Sequence, residues 1–268
     1  MKNVLLLALI LSCSSPLTAQ TNCEEGDSPL NRNQPQGIAP HDIIQKFAAQ
    51  EGVFKLTRDN YTYTQDVTVQ TLDGHTVDGE FRQVTDISYD DKGNRVESVT
   101  FAPPNTLTRV VLTQEDFDEL RNRMPFVLTT EDLPQYDVLY AGTQHLDEID
   151  TYVFDAAPKH LEKDKRYFQG RIWVDDHDFQ IVKTCGKIVP DTRDKKGGEH
   201  LSPSFVTYRE QIDGQYWFPT YARADDILHF SHDHVHIRLI MKYTRYKRFG
   251  SKSKIIFKGE TPPDRKPK

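Results

Sequence analysis

Residues His234–Arg248 read HVHIRLIMKYTRYKR, an alternation of apolar and polar side chains sustained over 15 positions. Alternation of period two is the mark of a half-buried β-strand. At about 3.3 Å per residue this stretch would span roughly 50 Å, against about 17–20 Å for an ordinary strand. Sheets twist by about 20° per strand, so a strand of that length must coil. A coiled antiparallel sheet tends toward an incomplete barrel, which leaves a concave face for something to fill.

Working outward, the same period recurs upstream. Tyr61, Tyr63, Val67 and Val69 alternate with polar neighbours up to Thr71. Further strands are predicted at Phe81–Tyr89, Val96–Phe101, Tyr136–Leu146, Ile149–Asp155, Tyr167–Val174, Phe179–Lys187, Ser204–Ile212 and Tyr216–Ala222. Asp73-Gly74 and Asp213-Gly214 supply turns, and Pro103-Pro104 stops a strand because proline cannot donate to a ladder. Two short helices are predicted. One opens at Pro40, buries Ile43, Ile44, Phe47 and Ala48, and ends near Gly52. The other follows the capping sequence Thr113-Gln114-Glu115-Asp116 and presents Phe117, Leu120 and Met124. No long helix separates the strands, so the crossovers that a parallel sheet requires are missing. The expected fold is mainly β (α+β). It is a strongly curved antiparallel sheet, an incomplete barrel of about 10–11 strands with short covering helices.

Composition limits what such a fold can do. The 268 residues carry 34 basic and 40 acidic side chains, a net charge of −6. That balance argues against nucleic-acid binding through a basic surface. Aromatic residues at 10% exceed what a disordered chain carries. Residues 1–19 read as an export signal, with Lys2 ahead of the apolar run Val4–Leu11 and a cleavage point after Ala19. A second route is open, because Ile10-Leu11-Ser12-Cys13 resembles a lipobox that would anchor the protein through Cys13. Leu11 in place of a small residue favours ordinary cleavage into the periplasm. Residues 20–38 read as a flexible leader, 39–257 as one domain and 258–268 as a disordered basic tail. Cys23 and Cys185 would remain after cleavage. They can be paired or left as two thiols, and oligomeric state has no signature in the sequence.

The hairpin Tyr167–Lys187, YFQGRIWVDDHDFQIVKTCGK, has the form F-x-G-x-I-W-V-D, a tight acidic turn, then I-V-K. It resembles the central hairpin of LolA/LolB-like periplasmic proteins, among them the outer-membrane lipoprotein-sorting proteins. The resemblance implies a helix-covered half-barrel whose apolar hollow takes lipoprotein or lipid acyl chains, without cofactor or catalysis. Some relatives instead sense envelope stress or have no known role, and the rival reading is an envelope interaction or sensor protein whose barrel is filled by its own side chains.

A hollow for hydrocarbon needs apolar walls, since each buried methylene contributes about 0.8 kcal/mol and an unpaired charge there is costly. Candidate wall positions are Tyr61, Tyr63, Val67, Val69, Ile172, Val174, Phe179 and Ile181, extended by Tyr216 and Phe218. Phe117 and Leu120 would form lid or plug. The same residues could fill an ordinary closed core.

Other constellations point to chemistry less directly. The cluster His229–His236 offers His232, His234 and His236 as metal ligands beside Asp225 and Asp226, but the spacing matches no closed zinc signature. A solvated turn explains it as well, and a metal-dependent enzyme is the remote alternative. Asp147, Glu148 and Asp150, like Asp175, Asp176 and Asp178, fall in predicted turns where aspartate bonds its own backbone. Finally, Lys242–Lys268 holds ten basic and two acidic residues. Such a segment suits an anionic membrane surface or an envelope protein partner, or it protects a sheet edge from pairing.

Overall fold

The structure, a computed structural model, describes Cys23 and residues 28–90, 94–122, 126–163, 165–193 and 198–249. The export signal, Cys13, residues 20–22 and 24–27 of the leader, Met124 and the 258–268 tail lie outside the described residues.

The chain runs α1 (Pro40–Arg58), β1 (Tyr61–Asp73), β2 (Thr76–Tyr89), β3 (Arg95–Phe101), α2 (Gln114–Asn122), a 3-10 turn (Leu133–Gln135), β4 (Tyr136–Leu146) and β5 (Ile149–Pro158). It continues through β6 (Tyr167–Asp175), β7 (Ile181–Val189), β8 (Thr192–Arg193), β9 (Glu199–His200), β10 (Phe205–Ile212), β11 (Tyr216–His229) and β12 (His234–Arg248). Ten of the strands form one sheet in the order β3-β2-β1-β12-β11-β10-β7-β6-β5-β4, while β8 and β9 pair separately. Neighbouring strands are antiparallel throughout, and the sheet does not close. Among the described residues no helix is long and apolar enough to cross a membrane.

The curl follows from where the core side chains meet. Val67 and Val69 of β1, Phe154 and Ala156 of β5, and Ile172 and Val174 of β6 belong to one hydrophobic cluster with Ile43, Phe47 and Ala48 of α1. In a flat sheet β1 and β5 would stand about 29 Å apart. They share one cluster because the sheet wraps around α1, whose Phe47 ring lies 5.6 Å from that of Phe154. The long strand β12 pairs with β1 on one side and β11 on the other, and the register shifts once near Thr62 and Thr64. Opposite that shift Arg245 takes φ of 57°, a bulge of the kind that tightens local twist.

Two close approaches shape the hairpin singled out in the sequence. Gly170 of β6 faces Gly186 of β7. A Cβ on Gly170 would fall 2.2 Å from the Cys185 carbonyl oxygen, and one on Gly186 would fall 2.3 Å from that of Gln169. The strands pinch there because neither residue carries a side chain.

Three sequence expectations need adjusting. Helix α1 passes through Gly52 and ends at Arg58. The cost of an interior glycine is about 1 kcal/mol, and it is offset by the buried Glu51 and Phe54 on either side. Strand β7 begins at Ile181 rather than at Phe179, which sits in the preceding turn with φ of 57°. Strand β11 continues past Ala222 to His229, carried by pairing with the long β12.

Cys23 and Cys185 form a disulfide with Cα atoms 5.3 Å apart. Cys185 lies on the outer face, in a second cluster with Val153, Trp173, Val182 and Val206. From this staple the leader crosses to the β4 edge, where Asn31 and Thr143 exchange backbone hydrogen bonds of 2.8 Å each way. One free edge of the sheet is thereby partly covered.

Candidate functional site

The concave face has two halves. Helix α1 fills one, seating Ile43 and Phe47 against Phe154, Ile172, Val174 and Ile181. The helix is fixed by charge as well. Arg209 of β10 donates to both Glu51 carboxylate oxygens, at 2.8 and 3.1 Å, and to the Phe126 carbonyl.

The other half holds a cavity of about 380 Å³. Its floor is built by Val69 of β1, Val235, Ile237 and Leu239 of β12, Leu228 of β11, Phe205 of β10 and Ile188 of β7. Inward positions of β12 alternate two by two, which is why three of its side chains reach one hollow. Leu112 and Leu120 close it from above, where the chain crosses from the β2 edge into α2.

That covering segment is tied at both ends. Near its start Arg109 donates to the carbonyls of Leu72, at 3.1 Å, and His234, at 2.9 Å, bridging the ends of β1 and β12. The capping box predicted from the sequence is present: Asp116 accepts from the Thr113 backbone N–H at 2.6 Å and from its hydroxyl at 2.7 Å. Further along, Glu119 pairs with Arg166 and accepts from the Ser202 hydroxyl at 2.8 Å, all three side chains being buried. Phe117 rests on Phe81 with ring centroids 5.5 Å apart.

The mouth of the cavity is acidic. Asp116, Glu119, Glu199 and Asp233 line it, with Arg109 and His200 as the basic side chains. Hydrogen bonds from the Ser231 hydroxyl and backbone N–H, together with Arg193, hold the Glu199 carboxyl down at about 2. Glu199 therefore stays ionised at any physiological pH. A second depression, of about 320 Å³, lies past the C-terminal end of α1. Arg166 lines that one, so its pairing with Glu119 stands between the two hollows.

The structure distributes the nominated wall positions unevenly. Val69 and Leu120 line the cavity. Val67, Ile172, Val174 and Ile181 lie in the core beneath and beside α1, and Phe117 packs against it. Tyr61 and Phe218 join Phe54 in a separate cluster, with Tyr216 half-buried beside them. Tyr61 donates to Asp213 at 2.9 Å, and burial raises its hydroxyl to about 12. Tyr63 stacks on Tyr246 with centroids 5.2 Å apart and accepts from Arg95 at 2.7 Å. Phe179 is half-buried in its turn, with the Lys46 ammonium 4.3 Å from the ring centroid. Most of the floor was not nominated: Val235, Ile237, Leu239, Leu228, Phe205 and Ile188. The alternation in His234–Arg248 marks its β12 share.

The histidine cluster does not assemble into a ligand set. His236 bonds Asp225, which also accepts from Arg238 at 2.9 Å. His234 faces His229 across the hairpin with centroids 6.5 Å apart, and His232 is exposed. Among the described residues the ligand atoms that do gather within 4.8 Å belong to Asp175, Asp176 and His177. There Asp175 accepts from the backbone N–H groups of His177 and Asp178 at 2.6 and 3.1 Å, as a turn-forming aspartate does.

These features define an open, curled antiparallel sheet with a part-filled hollow. Solved structures of similar layout include a DUF1329 family protein from Desulfovibrio piger, 14% identical with a TM-score of 0.41, over 81% of this chain and 96% of that one. A LolA superfamily protein from Nitrosomonas europaea is 14% identical with a TM-score of 0.37, over 76% and 94%. A domain from Vibrio parahaemolyticus, described as an outer membrane lipoprotein-sorting protein, is 11% identical with a TM-score of 0.35, over 76% and 93%. The structural neighbours thus include the group that the Tyr167–Lys187 hairpin resembles, and no residue role is carried over from them. No family model matches the sequence, and no curated protein matches it.

Proposed function

We propose that this chain is an exported envelope protein that holds a hydrophobic ligand, the acyl chain of a lipid or lipoprotein, in the open half of its concave face, without covalent chemistry. One observation carries the reading: the cavity of about 380 Å³ floored by Val69, Val235, Ile237, Leu239, Leu228, Phe205 and Ile188. Small-molecule sites are apolar hollows of about 300–1,000 Å³ with a few polar groups at the rim. Each methylene that enters contributes about 0.8 kcal/mol. The signal-like residues 1–19 support a periplasmic location. The Cys23–Cys185 bridge suits an oxidising compartment. The basic segment from Lys242 offers a contact for an anionic membrane surface or an envelope partner.

A second reading draws on the filled half of the hollow, where α1 is held by the buried Glu51–Arg209 pair. In that reading the sheet is a self-filled scaffold for an envelope interaction partner. Titration with N-phenyl-1-naphthylamine separates the two. The carrier reading expects saturable fluorescence enhancement with one site per chain, displaced by a single-chain alkyl amphiphile. No enhancement, with native mass spectra of bare protein from the periplasm, would leave the scaffold reading in its place.

A further inference from the structure

The geometry points to a single-chain amphiphile with an uncharged or cationic head as the ligand class of this cavity. The inference rests on the reading that the cavity takes a hydrophobic ligand at all.

Size limits the number of chains. A cavity of about 380 Å³ lies near the lower end of the about 300–1,000 Å³ range of ligand sites, which suits one alkyl chain rather than two side by side. Rearrangement of the cover is opposed by the buried Arg166–Glu119–Ser202 set on α2 and by Arg109 across the ends of β1 and β12.

Charge limits the head. Arg109, the arginine that lines the cavity, is engaged by Asp78, and two lining carboxylates are paired with arginines from outside it, Glu119 with Arg166 and Glu199 with Arg193. Asp116 and Asp233 add negative charge, and neither forms an ion pair among the described residues. Asp116 accepts from Thr113, and Asp233 from the His234 backbone N–H at 2.7 Å. An anionic head group would meet like charge and, among the described residues, only arginines that are already paired, whereas a cation or a polar neutral group would meet acceptors. The floor gives no specificity beyond length, being apolar throughout.

Calorimetric titration of the delipidated full chain tests this, using alkyltrimethylammonium ions, alkyl maltosides and alkanoates of 8 to 16 carbons below their micelle concentrations, and a two-chain phosphatidylcholine. For the cationic and neutral series, affinity should rise about fourfold per methylene and level off before 16 carbons. Alkanoates of equal length should bind at least tenfold more weakly at low salt, with the gap narrowing as salt is added or in an Asp233→Lys variant. The two-chain lipid should not bind stoichiometrically. Alkanoates binding as tightly as the cations, affinity rising unchecked to 16 carbons, or one-to-one binding of the two-chain lipid would overturn the inference while leaving the hydrophobic-ligand reading intact. If no series binds, both fall.

Discussion

Arg209 lies across the Glu51 carboxylate in a two-point contact, at 2.8 and 3.1 Å, with both side chains sealed between α1 and the sheet. Burial holds the Glu51 carboxyl above its ordinary range, and Arg209 opposes that rise only in part. A guanidinium can satisfy two carboxylate oxygens and a carbonyl at once, which lysine cannot do. The pair fixes the position of α1 and so decides which half of the hollow is filled.

Removing one partner leaves the other charge buried and uncompensated, which costs about 3–5 kcal/mol. Arg209→Ala should therefore lower the urea midpoint sharply. The double variant Glu51→Leu/Arg209→Met should lose much less than the sum of the two single changes. An additive double variant would show that the pair is not coupled.

The disulfide closes a loop of 162 residues between the leader and β7. Cross-links of that span stabilise by about 2–4 kcal/mol, chiefly by restricting the unfolded chain. Cys23→Ser should lower the melting temperature, and reductant should do the same to the native protein but not to the variant. It should also speed hydrogen exchange at Thr143, whose amide donates to Asn31 in the segment held by the bridge. Unchanged exchange at Thr143 would mean that the edge contact stands without the staple.

At the pinch between β6 and β7 no side chain fits. Gly170→Ala must push the Cys185 carbonyl aside, and such overpacking costs about 1–3 kcal/mol. Gly52→Ala offers the contrast, since a Cβ there meets nothing within 4 Å. It should stabilise the protein by about 0.5–1 kcal/mol through helix propensity. Thermal melts of the two variants moving in the same direction would contradict this account.

The pH dependence at the mouth has a definite sign. Glu199 falls from an ordinary 4.5 to about 2 in the folded chain. A depressed carboxyl contributes its stability in full above about 4.5 and loses it as pH falls through about 2. Exchange at the Ser231 amide, which donates to Glu199 at 2.7 Å, should stay protected at pH 4 and lose protection near pH 2 once intrinsic rates are corrected. Glu199→Gln should weaken that protection across the range. Protection lost already at pH 4 would rule out the depressed carboxyl.

Much of this fold is written locally, and the cavity is not. Asp213 and Gly214 both take positive φ, at 54° and 65°, as turn residues that tolerate it. The Thr113–Asp116 cap and the length of β12 are likewise set by neighbouring residues. What a single sequence hides is pairing at a distance. Asp225 and Asp226 lack strand propensity, yet β11 runs through them because Asp225 is held by His236 and Arg238 on the next strand. Cys185 carries no local sign of its partner. Alternation tells which residues of β1 and β6 face inward, but not which of them meet α1 and which meet space. That is decided by where Glu51 finds Arg209.

The claim on which all else depends is that a chain lies along Leu239 and Val69 rather than on the outer face. Diffraction at the bromine edge from crystals grown with 12-bromododecanol measures this directly. The account predicts one bromine peak per chain within the cavity lined by Val69, Leu120 and Leu239, absent in a Leu239→Trp variant that remains folded. Peaks only at the outer face around Trp173, or an empty cavity at saturating alcohol, would contradict it.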